Sequence, residues 1–129
     1  MAKRSKQELT RRERQIMDII YRSGQATAAE VRQGLPDPPS YSAVRALLRL
    51  LEEKGHLAHR QEGPRYIFTP TTSKRTAGRT ALDRLVTTFF NGSIESLVST
   101  LLDEKSQELS DKDLERLAEM IEAARNEGR

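Results

Sequence analysis

Tyr41, Ser42, Arg45 and Arg49 fall at spacings that place a phenol, a hydroxyl and two guanidiniums on one side of a helix. Groups of this kind hydrogen-bond phosphate oxygens and base edges, and a guanidinium can meet guanine O6 and N7 with both arms. Among them Val44, Leu47, Leu48 and Leu51 recur at intervals of three and four, a stripe that must be buried. Pro38, Pro39 and Ser40 close the loop before this helix, and Ser40 suits its N-cap. Glu52, Glu53 and Lys54 form a polar last turn, and Gly55 supplies the left-handed stop. A helix with a buried stripe and an outer row of hydroxyls and guanidiniums fits a DNA major groove. The same pattern also describes an ordinary surface helix, so its neighbours must decide.

Upstream, Thr10 with Glu13 is a capping box for a first helix. Its apolar side is Ile16, Met17, Ile19 and Ile20, with Arg11, Arg12 and Arg14 opposite. Gly24 ends it, and Ala26–Thr27 allow a very short strand. Thr27 with Glu30 repeats the box for a second helix with apolar Ala28, Val31 and Leu35. Three short helices, the last two tightly joined, make a helix-turn-helix. Downstream, Leu57–Gln61 reads as a strand, Glu62–Gly63–Pro64 as a turn and Arg65–Thr69 as the returning strand. Tyr66 and Phe68 share one face and Ile67 takes the other. A hairpin after a helix-turn-helix is a winged helix. Arg60 and Arg65 near the hairpin tip, and Arg11 and Arg12 at the start of the first helix, are further candidates for DNA contact. The alternative is that they only keep the surface soluble.

Pro70 to Lys74 is a Thr/Ser-rich hinge, beyond which the pattern is helical again. Ala77, Ala81, Leu82, Leu85, Val86, Phe89 and Phe90 form a long stripe, and Asn91–Gly92 breaks it. Ser93 can cap a helix carrying Ile94, Leu97, Val98, Leu101 and Leu102. After the polar linker Asp103–Gln107, Ser110 with Asp113 forms a third capping box, ahead of Leu114, Leu117, Ala118, Ile121 and Ala124. The expected architecture is therefore mostly α with a small β component (α+β). A winged helix-turn-helix DNA-binding domain spans 8–72, and a three-helix dimerisation lobe spans 73–126. So few helices bury little against themselves. A second copy of the lobe is the simplest cover, through Leu82, Leu85, Val86, Phe89, Leu97, Val98, Leu101, Leu114, Leu117 and Ile121. Packing back on the winged helix is the alternative. Two recognition helices about one turn of duplex apart would read a palindrome.

Composition narrows the function classes. Through Arg75 there are 15 Lys/Arg against 8 Asp/Glu, a net of +7. From Thr76 onward there are 7 against 11, a net of −4. The basic half carries the candidate recognition helix, as a polyanion-binding surface requires. Lys3, Arg4 and Lys6 make the first seven residues a mobile basic arm, either laid along a phosphate backbone or an idle disordered tail. There is no cysteine, so disulfides and thiolate sites are excluded. His56 and His59 have no convincing carboxylate beside them in sequence and read as strand or surface residues, so no metal or other cofactor is expected. No phosphate loop, HExxH or GxSxG is present, and no catalytic residue is assigned. No apolar run approaches a membrane span and no signal-peptide core opens the chain, which makes a cytoplasmic protein without membrane insertion the expectation. Two other functions remain open: a winged-helix protein-interaction module, and a DNA-binding activator.

The order of these motifs resembles the penicillinase repressor family of winged-helix transcriptional repressors. The words that carry the resemblance begin with Glu8–Leu–Thr–Arg–Arg–Glu13, Ala28–Ala–Glu–Val31 and Ser40–Tyr–Ser–Ala–Val–Arg–Ala–Leu47. They continue through Leu51–Glu–Glu–Lys–Gly–His–Leu57 and Glu62–Gly–Pro–Arg–Tyr–Ile–Phe–Thr–Pro70 to Phe89–Phe–Asn–Gly–Ser93 and Leu109–Ser–Asp–Lys–Asp–Leu114. The resemblance implies a homodimeric repressor seated on palindromic double-stranded DNA, often with TACA/TGTA half-sites, that blocks transcription of adjacent genes. By matching position it places Ser42, Ala43, Arg45, Ala46 and Arg49 toward the groove. Family members commonly carry Thr in place of Ala43 and Ala46 and Arg in place of Leu50, so two hydroxyls become methyls here and one cation is lost. A membrane sensor-protease is a further partner implied by the antibiotic-responsive members. Those are cut at an Asn–Phe bond whose place is taken here by Thr100–Leu101.

Overall fold

Local signals fix most helix ends. The computed structural model describes residues 9–128, and the basic arm expected over 1–7, together with Glu8, lies outside the described residues. Thr10, Thr27 and Ser110 close reciprocal capping boxes with Glu13, Glu30 and Asp113, opening α1 (Arg11–Ser23), α2 (Ala28–Gly34) and α6 (Asp111–Glu127). Single hydroxyl caps from Ser40 and Ser93 open α3 (Tyr41–Glu53) and α5 (Ile94–Glu104). Gly24 and Gly55, at φ 86° and 91°, end α1 and α3 in the left-handed region that glycine enters without a Cβ clash.

After α3 come β1 (Leu57–Glu62) and β2 (Arg65–Pro70), antiparallel in register from Leu57 opposite Pro70 to Glu62 opposite Arg65. The turn is one residue tighter than expected. Glu62 belongs to β1 and only Gly63 and Pro64 bridge the strands, because Gly63 at φ 61° and the fixed φ of proline suit a two-residue hairpin. Ala26 adds a one-residue third strand, exchanging both backbone bonds with Phe68 at 3.0 and 2.8 Å. Tyr66 faces His59 and Phe68, as the alternation requires, yet Ile67 and Phe68 are both buried. Ala26 pairs along the free edge of β2, and α1 packs against that strand.

The described residues form two compact units, divided between Gly78 and Arg79 inside α4 (Lys74–Phe89). The first has a closed core in which Ile16, Ile20, Val31, Val44, Leu48 and Leu51 are fully buried where α1, α2 and α3 meet. Thr71, in the segment read as a hinge, is fastened to this unit. Its hydroxyl donates to Gly55 O at 2.6 Å and its N–H to His56 O at 3.0 Å.

The second unit consists of the rest of α4 with α5, a 3-10 turn at Ser106–Glu108 and α6. The linker expected from Asp103 is shorter than its composition suggested, since Asp103 and Glu104 complete α5. Among the described residues no single helix is long and apolar enough to cross a membrane.

Candidate nucleic-acid interface

Helix α3 has two unlike faces. Val44, Leu48 and Leu51 are fully buried against α1 and α2, which fixes the helix in rotation. Tyr41, Ser42, Arg45, Ala46 and Arg49 are exposed on the other side, and Ala43 is half-buried at the margin. Within this row the Arg45 guanidinium lies 6.0 Å from the Tyr41 ring centroid, at the outer reach of a cation–π contact. Ser42 Oγ is 3.3 Å from Ser40 Oγ, the N-cap oxygen. Leu50 is exposed as well.

Between α3 and the hairpin lies an open concavity of about 460 Å³, bordered by Tyr41, Arg45, Arg49, Glu52, Arg65 and Tyr66. Among the described residues no carboxylate pairs with Arg45, Arg49 or Arg65. Three uncompensated guanidiniums around one hollow give it a positive potential, suited to an anionic partner. Its carboxylate is Glu52, which is already engaged. His59 Nδ1 on β1 sits 2.8 and 2.9 Å from the two Glu52 oxygens, and the His59 ring stacks on Tyr66 at 4.3 Å. This corrects the reading that the histidines lack a carboxylate. The partner comes from the preceding helix, across the Gly55 turn.

The other arginines expected at the interface have different settings. Arg11 and Arg65 are exposed. Arg12 donates to the carbonyls of Pro36 and Asp37 at 2.9 and 3.1 Å. Arg60 bonds Glu62 Oε2 at 3.0 Å and Gln25 Oε1 at 3.1 Å, tying the hairpin to the segment before α2. Arg32, not singled out in sequence, donates from Nε to Pro39 O at 2.7 Å.

Behind α3 lies a buried ion pair that sequence reasoning missed. Glu13 is 0% exposed, and Lys54 Nζ reaches its two oxygens at 2.8 and 2.9 Å. The Thr10 N–H donates to the same carboxylate at 2.9 Å. Burial by itself raises the Glu13 pKa, but these donors outweigh it and hold the carboxyl below its ordinary value. The capping-box pattern located Glu13 without revealing that the side chain is enclosed. The chain brings Lys54 to it from 41 residues away.

In the second unit, Leu82, Leu85, Phe89, Val98, Leu101, Leu114, Leu117 and Ile121 are exposed, Val86 is half-buried and Leu97 is buried. Ile94, Leu102 and Met120 extend this uncovered apolar surface.

A family model described as penicillinase repressor matches residues 9–123. The penicillinase repressor of Bacillus licheniformis is 24% identical over 116 residues, which cover 88% of this chain and 89% of that protein. A solved structure of Bordetella bronchiseptica BpsR, concerned with regulation of its DNA binding by 6-hydroxynicotinic acid, aligns at a TM-score of 0.48 and 12% identity. That alignment covers 93% of this chain and 77% of the other, and the likeness is loose. With three helices and a hairpin in winged-helix order and a family model matched over nearly its whole length, the chain belongs to the penicillinase repressor family of DNA-binding transcriptional repressors.

Proposed function

We propose that the protein binds a palindromic operator as a homodimer and represses by occupying DNA that polymerase needs. The observation that carries this reading is α3 itself. Val44, Leu48 and Leu51 on its inner face are fully buried, while Tyr41, Ser42, Arg45, Ala46 and Arg49 form an exposed row with no neutralising carboxylate among the described residues. Arg45, near the start of the helix, is the candidate for a base edge, and Arg49, one turn later, for a base or a phosphate. Ala43 and Ala46 offer methyl groups that can meet a thymine methyl but donate no hydrogen bond. Arg65 in the wing and Arg11 on α1 supply charge toward the backbone, which strengthens binding to every sequence alike.

The dimer is supported by the open apolar surface of α4–α6. Phe89 is 72% exposed and Ile121 64%, and leaving so many such groups in water forfeits their burial energy. Pairing two lobes covers them and links two recognition helices. Linkage makes the second half-site contact intramolecular and raises affinity without a new contact.

Selection of bound duplexes from a random pool, combined with sedimentation of the free protein, tests the reading. A single palindromic motif and a dimer are expected. A monomer at high concentration that binds all duplexes equally would overturn it.

A further inference from the structure

The loop that leads into α3 is held from outside. Pro36, Pro38 and Pro39 have no N–H to donate, and Asp37 sits at φ 48°, a region costly for a residue with a side chain. Its carbonyls are instead met by arginines from the two preceding helices. Arg12 donates from Nη1 to Pro36 O at 2.9 Å and from Nη2 to Asp37 O at 3.1 Å. Gln15 Oε1, one helical turn along, accepts from the same Nη1 at 3.2 Å and steadies the guanidinium. Arg32 Nε holds Pro39 O at 2.7 Å. The next residue is Ser40, the N-cap of α3. One position after Arg12, Glu13 grips Lys54, the C-cap of α3. The first turn of α1 thus holds the chain at both ends of the recognition helix.

Resting on the reading of α3 as the helix that enters the groove, we infer that Arg12 is a positioning residue for DNA recognition. Its fork braces the 36–39 loop, sets where α3 begins and so aims Arg45 and Arg49, while its charge does not contact phosphate. Two carbonyls on consecutive residues are met by two nitrogens of one planar group. A lysine ammonium, a single point on a flexible stem, cannot reproduce that fork. A small shift of α3 harms base contacts more than phosphate contacts, because bidentate hydrogen bonds weaken steeply with misalignment.

The full chain carrying Arg12→Ala, Arg12→Lys or Arg32→Ala tests this by fluorescence anisotropy over a KCl series. The probes are a 30-bp duplex recovered from a random pool by the unsubstituted protein and a scrambled duplex of the same composition. Arg12→Ala is expected to weaken the selected duplex about tenfold, the scale of one lost base contact. The scrambled duplex should change about twofold or less, with the slope of log affinity against log salt unaltered. Arg12→Lys should fail in the same way, and Arg32→Ala should show a smaller loss of the same kind. Equal losses on both duplexes, a slope reduced by about one unit and rescue by lysine would make Arg12 a phosphate contact and overturn the inference.

A second measurement needs no DNA. The Val44 amide, bonded to Ser40 O at 3.0 Å in the first turn of α3, should exchange hydrogen faster in Arg12→Ala. The Leu97 amide, bonded to Ser93 O in the other unit, should not. Unchanged exchange at Val44 would sink the bracing role. If no duplex were recovered while Val44 exchange did rise, the bracing would stand and the operator reading would fall.

Discussion

The two units carry similar amphipathic helices and differ in what happens to the apolar stripe. In the winged-helix unit the stripes of α1, α2 and α3 converge and the hairpin covers the remaining side, so Ile16, Val31, Val44 and Leu48 reach 0% exposure. Among the described residues of the lobe Leu97 alone reaches burial, while Phe89, Ile94, Met120 and Ile121 stay more than half exposed. The first unit meets its burial requirement within one chain, and the second does not. A stripe therefore announces that a surface must be covered without specifying the cover.

This contrast can be tested from the closed side first. Lys54→Met leaves the Glu13 carboxylate buried without its cation and should cost about 3–5 kcal/mol in denaturant unfolding, independent of protein concentration. Acid provides a related check. Glu13 is held below its ordinary pKa, so its contribution is full above the ordinary carboxylate range. It is lost as pH falls through the lowered folded value. Glu13→Gln should flatten that acid limb. A limb unchanged by the substitution would mean that the pair does not carry it.

From the open side, Leu101→Asp combined with Leu117→Asp puts two charges into the proposed interface. The protein should sediment as a monomer and lose about 100-fold in operator affinity, while its winged-helix unit melts normally. A variant that stayed dimeric would remove these residues from the interface.

The outer row of α3 comes next in size of effect. Arg45→Ala should reduce discrimination between matched and mismatched duplexes by about 2 kcal/mol without altering stability. Loss on both duplexes alike would reassign Arg45 to the backbone. The smallest change is Ser110→Ala, which removes one cap of α6 and should lower helix stability by about 1 kcal/mol. If the lobe folds only on pairing, that loss should shrink as protein concentration rises.

Much of the fold was legible because its causes are local. Thr10, Thr27, Ser40, Ser93 and Ser110 cap where their spacing said they would, since a hydroxyl and the N–H three residues on belong to one turn of chain. The hairpin and the two faces of α3 followed from periods of two and 3.6 residues. The outward position of Tyr41, Ser42, Arg45 and Arg49 followed from the same geometry. Pairings across the chain were hidden. His59 met Glu52 around a glycine turn, and Arg60 met Gln25 across the hairpin.

The sequence by itself determined where most helices begin and end, which of their faces is apolar and which half of the chain is basic, because backbone periodicity and capping act within a few residues. Only the tertiary structure decided that Glu13 is enclosed with Lys54 and that Arg12 reaches the carbonyls before α3. It alone left the α4–α6 surface open in a single chain. Such outcomes depend on which elements meet after the chain has turned back on itself, a relation that spacing along the sequence does not encode.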